Sequence, residues 1–228
     1  VLHRSEQHPR LTLLRTLRIQ PPDQWLSLDP VGRRAVSRHK DGTLVLWRLD
    51  TGALERRLTV GPKRRTEAHF SPRGRYLATA GARGQVRRWD VETGRATTLA
   101  TVPGGVRVVR YAPDGQLLAV ADRRGVIHLL RTEGGQTERT LTYHPKPVFA
   151  LAWSPDSRVL GVVHWDKSGW LYDVTSKAPP RRLPPTRDGW HALVFARDGK
   201  TLFAADWGRS ITVFRARDLH VERTLVGH

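Results

Sequence analysis

Two imidazoles and a carboxylate, His144, His164 and Asp166, are the side chains whose types invite a metal reading. They fall close enough along the chain to converge, yet no ligand-spacing motif accompanies them. Local hydrogen bonding that satisfies buried polar groups is the role expected of them. A second set, His39, Asp122, His164 and Asp206, with Gly81 in the gap, recurs every 41 or 42 residues. Groups so spaced belong to separate structural units, too far apart to share one ion through bonds of about 2 Å. No metal and no other cofactor is expected.

Catalytic signatures are equally sparse. There is no Gly-rich phosphate loop, no Gly-x-Ser-x-Gly elbow and no paired-carboxylate motif. The absence of cysteine excludes disulfides, thiolate metal sites and cysteine nucleophiles, and leaves the compartment open, with the cytoplasm favoured. No catalytic residue is therefore assigned, and the chain is not expected to be an enzyme.

Charge is the next feature able to act on a partner. Lys and Arg number 39 against 21 Asp and Glu, a net +18, and arginine supplies 33 of the 39. Arginine pairs stand at 33–34, 56–57, 64–65, 87–88, 123–124 and 181–182, scattered over turns and strands. A nucleic-acid groove needs its cations on one track. Dispersal points instead to a solvated basic surface that draws acidic partners at low salt. No apolar run is long enough for a membrane-spanning helix.

The elements that must position these groups repeat. A bulky residue ahead of a turn returns at Leu28, Phe70, Tyr111, Trp153 and Phe195, in steps of 42, 41, 42 and 42. Trp47, Trp89, Leu130, Tyr172 and Phe214 keep the same step, as do Leu17, Leu58, Leu99, Leu141, Leu183 and Leu225. Three markers locked to one period mean one structural unit copied along the chain.

Residues 106–141 show the unit. A short apolar segment ends at Tyr111, and Ala112-Pro113-Asp114-Gly115 follows, with Pro presetting φ and Gly closing a type I turn. A continuous apolar run at 117–121, a turn at 123–125, a third segment to Leu130 and a fourth to Leu141 complete four short strands of an antiparallel meander. The second segment of each unit (76–80, 117–121, 159–163, 201–205) does not alternate, so both its faces must be covered. Sheets stacked in front and behind, around an axis, meet that demand.

Trp89-Asp90, the Gly227-His228 dipeptide and the run from Lys40 through Asp41 to Trp47 resemble the WD-repeat β-propeller family, over the whole chain. The resemblance implies an all-β propeller segment of four-stranded antiparallel blades, five complete and one partial at the N-terminus. The blades are expected at 25–58, 66–99, 106–141, 147–183 and 190–225. Residues 1–17 form the partial blade and residues 226–228 the start of another. Residues 1–4 align with 45–48, so the chain reads as an arc of a larger ring, the remaining blades lying elsewhere in a parent protein. In arginine-rich bacterial relatives of this kind the propeller often follows a kinase or other signalling domain. Structural roles are implied for Asp41, Trp47, Trp89, Tyr172 and the His144–Asp166 pair. Turn aspartates are missing in the units carrying Arg83, Arg124 and Gly208 at that position, so weaker polar networks are expected there.

The family's frequent contact position, just before the turn aspartate, holds Lys40, Ala82, Arg123, Trp165 and Trp207. Trp190, at the entry to a first strand, is expected on the same rim. Lys40, Arg123, Trp165, Trp190 and Trp207 are thus the candidate contacts for a protein or peptide partner of acidic character, in a non-catalytic scaffold. Two other classes stay open. A channel-sited, lactonase-like hydrolase needs an acidic or histidine cluster on the inner strands, where Glu67, Arg107, Arg110 and His191 stand instead. Nucleic-acid binding needs the single basic track that is not found.

Overall fold

A computed structural model describes residues 26–39, 41–60 and 67–227. Lys40 and the expected partial blade at 1–17 lie outside them. The described residues form five four-stranded antiparallel sheets, each a meander in sequence order. The first holds β1 (Leu26–Leu28), β2 (Arg34–Arg38), β3 (Thr43–Arg48) and β4 (Leu54–Thr59); the second β5 (Glu67–Phe70), β6 (Tyr76–Ala80), β7 (Gln85–Asp90) and β8 (Ala96–Thr101). The third holds β9 (Val106–Tyr111), β10 (Leu117–Asp122), β11 (Ile127–Arg131) and β12 (Thr137–Leu141). The fourth is β13 (Val148–Trp153), β14 (Val159–His164), β15 (Gly169–Asp173) and β16 (Arg181–Arg182). The fifth is β17 (Trp190–Phe195), β18 (Thr201–Asp206), β19 (Ser210–Arg215) and β20 (Val221–Val226). The one helical segment among the described residues is a three-residue 3-10 turn, Ala82–Gly84.

Neighbouring sheets approach most closely at their first strands: β1 with β5, β5 with β9, β9 with β13 and β13 with β17. The blades therefore fan out from an inner edge. Each pair of neighbours encloses its own apolar cluster, so four cores serve five sheets. Phe70, Tyr111, Trp153, Trp89, Tyr172 and Phe214, all members of the periodic landmarks, are buried in these clusters. The second strands β10 and β14 are buried along nearly their whole length, as their lack of alternation requires. β18 alternates in burial instead, and Val194, Ile211, Val221, Leu225 and Val226 of the fifth sheet are exposed. That sheet has a covering neighbour on only one side among the described residues.

Arginine fastens every described interface between blades. Arg56 donates to the Glu92 carbonyl at 2.7 Å, and Arg88 to that of Thr132 at 2.5 Å. Arg139 donates to the carbonyls of Val174 and Ser176, and Arg181 to those of Ala216 and Arg217. Three of these four belong to the arginine that recurs two residues before the fourth-strand leucine. Where Thr97 breaks that series, Arg88 of the same blade supplies the bond. Part of the positive charge is thus structural, since a charged donor on an otherwise unpaired loop carbonyl is worth about 1.5–3 kcal/mol.

One interface is acid-sensitive. The Tyr111 backbone N–H donates to Nδ1 of His69 at 3.2 Å, joining the second and third blades. Burial, aided by the Arg110 guanidinium, holds the His69 imidazole down at about 3. The folded imidazole stays neutral while the unfolded chain takes up a proton below its ordinary value near 6.5. Stability contributed by His69 is therefore complete above pH 6.5 and is lost as pH falls from 6.5 toward 3, at up to about 1.4 kcal/mol per pH unit. Urea titrations across that range should show a shallower acid limb in His69→Asn, whose amide oxygen still accepts the bond but does not titrate. An unchanged limb would remove His69 as its source.

Candidate functional site

The turn between second and third strands places one residue at the same point in successive blades, and a backbone bond fixes it there. The N–H of Arg123 donates to the Gly105 carbonyl at 3.1 Å, that of Trp165 to Pro147 at 2.9 Å and that of Trp207 to Gly189 at 3.1 Å. Arg123, Trp165 and Trp207 thus stand in a row along one rim. The two indoles are 50% and 54% exposed, unusual for tryptophan.

A second row comes from the first strands. Val106 and Val108 pair with Asp122 and Ala121, so Arg107 between them is an extra residue, a β-bulge. The same irregularity leaves Phe149 extra between Val148 and Ala150, and His191 between Trp190 and Ala192. The bulge turns these three side chains toward the rim residues. Arg107 lies over the Trp165 ring at 4.7 Å, and Phe149 meets Trp165 edge-on at 5.5 Å. Phe149 also reaches Trp207 at 6.0 Å, and His191 packs on Trp207 at 4.7 Å. Arg107 and Phe149 therefore each support the turn residue of the next blade, Trp165 and Trp207 respectively, while His191 packs on Trp207 of its own blade. The outcome is one continuous patch across three blades, with aromatic faces to one side and guanidinium groups to the other.

Trp190 does not join it. Its side chain is 1% exposed, packs edge-on against Phe214 at 5.7 Å and donates Nε1–H to the Pro184 carbonyl at 3.0 Å. The bulge is the reason: of the two adjacent residues at the strand entry, His191 takes the rim and Trp190 is driven into the core between the fourth and fifth blades. Sequence reasoning passed over Phe149 and set Arg107 and His191 aside as isolated inner-strand residues. Their shared step of 42 residues was the available signal.

Polar residues at the turns hold this scaffold. Asp41 Oδ1 accepts from the Thr43 N–H at 2.8 Å and Asp166 Oδ1 from that of Ser168 at 3.1 Å. In two units without that aspartate the residue two places earlier replaces it. Asp122 Oδ1 takes the N–H groups of Arg124 and Val126, and Asp206 that of Ser210. Polar networks persist there, against the expectation of their weakening. Trp47 donates to the Ser37 hydroxyl at 2.8 Å and Trp89 to that of Thr79 at 2.9 Å, tying third strand to second. Tyr172 fills the corresponding place in the fourth blade, where burial pushes its hydroxyl up to about 12.

His144 and Asp166 do pair, Nε2 to Oδ2, at 3.3 Å. Burial pulls the Asp166 carboxyl upward, but the Ser168 hydroxyl and amide together with His144 more than offset it, and the group stays below the usual carboxylate range. His164 stacks on His144 with ring centres 4.3 Å apart and directs Nδ1 at the Lys146 carbonyl at 2.7 Å. Burial holds its imidazole below the ordinary value. The three side chains serve one turn, the one that carries Trp165. Among the described residues no three of His, Cys, Asp and Glu converge as a metal site. On the inner strands Glu67 lies 3.6 Å from Arg110.

Comparison with known proteins places this geometry in context. Residues 65–90 match the family model described as WD domain, G-beta repeat, and residues 102–154 that of the anaphase-promoting complex subunit 4 WD40 domain. The chain is 30% identical to WD repeat-containing protein SL1-17 of Schistosoma mansoni, over 65% of this chain and 50% of that protein. It is 26% identical to protein hir1 of Schizosaccharomyces pombe, over 70% of this chain and 21% of that one. With telomerase protein component 1 of Rattus norvegicus the identity is 27%, over 75% and 6% respectively. The chain spans half or less of the length of these relatives.

Proposed function

We propose that this chain, which belongs to the WD-repeat β-propeller family, is a non-catalytic platform that docks a protein or peptide partner on one rim. The observation that carries the reading is the continuous surface of the exposed Trp165 and Trp207 with the half-buried Phe149 and His191, bordered by Arg107 and Arg123. Half-exposed indoles held by neighbours lose little side-chain freedom on binding, which is what makes tryptophan and arginine effective anchors. Arg107 already covers part of the Trp165 ring, so the surface is cationic as well as aromatic. The matching partner carries an apolar or aromatic anchor flanked by carboxylates. The net charge of +18 favours the same sign of partner and speeds its approach at low salt.

Replacing Trp165 and Trp207 together by alanine should weaken a captured partner at least about 30-fold, the scale of a hot-spot loss. The unfolding midpoint should stay near that of the parent chain, since both side chains sit on the outside. Affinity capture followed by a Kd measurement on both proteins checks this. Equal Kd values would reject the site. Raising the salt should weaken binding of the parent chain, and a salt-independent Kd would reject the acidic partner while leaving the aromatic surface in place.

A further inference from the structure

We infer that His164 is a pH-sensing positioning residue of this rim: the turn that presents Trp165 is closed while the imidazole is neutral and opens as it takes up a proton, so that acid weakens docking. His164 ends β14, one residue before Trp165, and is 1% exposed. Its Nδ1 lies 2.7 Å from the Lys146 carbonyl, which can only accept, so Nδ1 carries the hydrogen and Nε2 is the basic site. Nε2 is buried and has no hydrogen-bond partner among the described residues. A proton added there would put a charge with no acceptor in a site shielded from water, against the His144 ring 4.3 Å away. The next residue along the same piece of chain, Pro147, supplies the carbonyl that fixes the Trp165 N–H at 2.9 Å. His164 thus holds Lys146, and the segment it holds positions Trp165.

The surrounding groups do not relieve that charge. Asp166 faces the two imidazoles from the turn, but its oxygens are engaged by Ser168 and by Nε2 of His144. Nδ1 of His144 accepts from the Lys146 N–H at 3.4 Å. Lys146 and Lys167 meet His164 through backbone groups, the Lys167 N–H donating to the His164 carbonyl at 2.9 Å. Tyr143 and Arg182 lie against the Trp170 ring, which packs on His144 at 5.4 Å. Burial outweighs the pull of Asp166, and the His164 imidazole is held below its ordinary value. This blade also has less else to hold its turn. In the first two blades an indole bonds a hydroxyl of the second strand, Trp47 to Ser37 and Trp89 to Thr79. The corresponding residues here are Tyr172 and Val162, and valine has no hydroxyl to offer. At the place of His164 the third and fifth blades carry Asp122 and Asp206, whose carboxylates hold turn N–H groups directly.

Those two blades supply the controls. The opened turn takes up a proton below the ordinary value near 6.5, so opening gains about tenfold between about pH 7.5 and 5.5. Amide hydrogen exchange on the complete chain, corrected for intrinsic rates, should show Trp165 losing about tenfold more protection over that range than Arg123 and Trp207, whose N–H groups are fixed by the same kind of bond. His164→Asn, whose amide N–H still reaches the Lys146 carbonyl but does not titrate, should remove the excess. In the parent chain, the His164 ring resonances should titrate with a midpoint below about 6.5, a readout that does not depend on the variant folding. Equal losses at the three turns, an excess that persists in His164→Asn, or a ring midpoint at the ordinary value would each overturn the proposal. The inference rests on the proposed docking surface for its consequence alone. A captured partner should bind the parent chain at least about threefold more weakly at about pH 5 than at 7.5, and His164→Asn should lose that weakening. Protonation of His191, on the surface itself, acts in the opposite direction on an acidic partner, so a Kd that stays level or falls in acid overturns the coupling of turn to docking. Should Trp165 and Trp207 prove dispensable for capture while the Trp165 amide responds as expected, the docking surface fails and the acid-opened turn stands.

Discussion

Trp190→Ala is expected to destabilise the chain by about 3–5 kcal/mol, the cost of emptying a large aromatic site in a packed core. Trp190 is among the largest fully buried side chains, closing the interface between the fourth and fifth blades against Phe214. Gly169 lies directly beneath it, where a Cβ would stand 3.0 Å from the indole. Truncation also removes the indole N–H that the Pro184 carbonyl accepts inside the fold. Trp165→Ala, 25 residues earlier in the sequence and on the rim, should cost no more than about 1 kcal/mol. Urea denaturation of the two variants reads the contrast directly. Similar losses in both would mean that the fourth and fifth blades do not share the described core. Trp190→Phe, which keeps most of the volume and only drops the hydrogen bond, should fall between them.

A pair of glycines gives the second large effect. Gly32 and Gly135 have nearly the same backbone, φ 71° and 70°, so the conformational penalty of alanine is alike at both, about 1–2 kcal/mol. Their surroundings differ. A Cβ on Gly32 meets nothing within 4 Å, whereas one on Gly135 would lie 2.0 Å from the Leu99 carbonyl oxygen in the second blade. Alanine at 135 must push two blades apart at a point where both sides are backbone, so neither can yield by changing rotamer. Gly135→Ala should therefore exceed Gly32→Ala by at least about 2 kcal/mol, on the scale of overpacking in a close-packed interior. Thermal unfolding of the two alanine variants measures the difference. Equal midpoints would show that the second and third blades do not approach as closely as described.

Much of the fold was legible because its signals are local and periodic. The landmark aromatics mark blade interfaces, and the unalternating second strands demanded cover on both faces. Turn residues such as Pro113 and Gly115 announced where strands end. The rim row of Arg123, Trp165 and Trp207 was legible for the same reason, being one register of that period. Other features were not. Trp190 and His191 are neighbours in sequence, and only the pairing of β17 with β18 decides which is buried and which reaches the rim. The same holds for Arg107 and Phe149. Arginines that look like a solvated edge turn out to cap carbonyls on the following blade.

By itself, then, the sequence determined the unit, its four strands, its period and the turn position that forms a row along the rim. Tertiary structure decided which residues that position meets. A strand's inside and outside follow from side-chain alternation along one segment, which local composition encodes. A bulge shifts that alternation by one residue through hydrogen bonds to another strand, and a clash such as that at Gly135 depends on backbone from another blade. Both are properties of pairs of segments distant along the chain, so no single stretch of residues carries them.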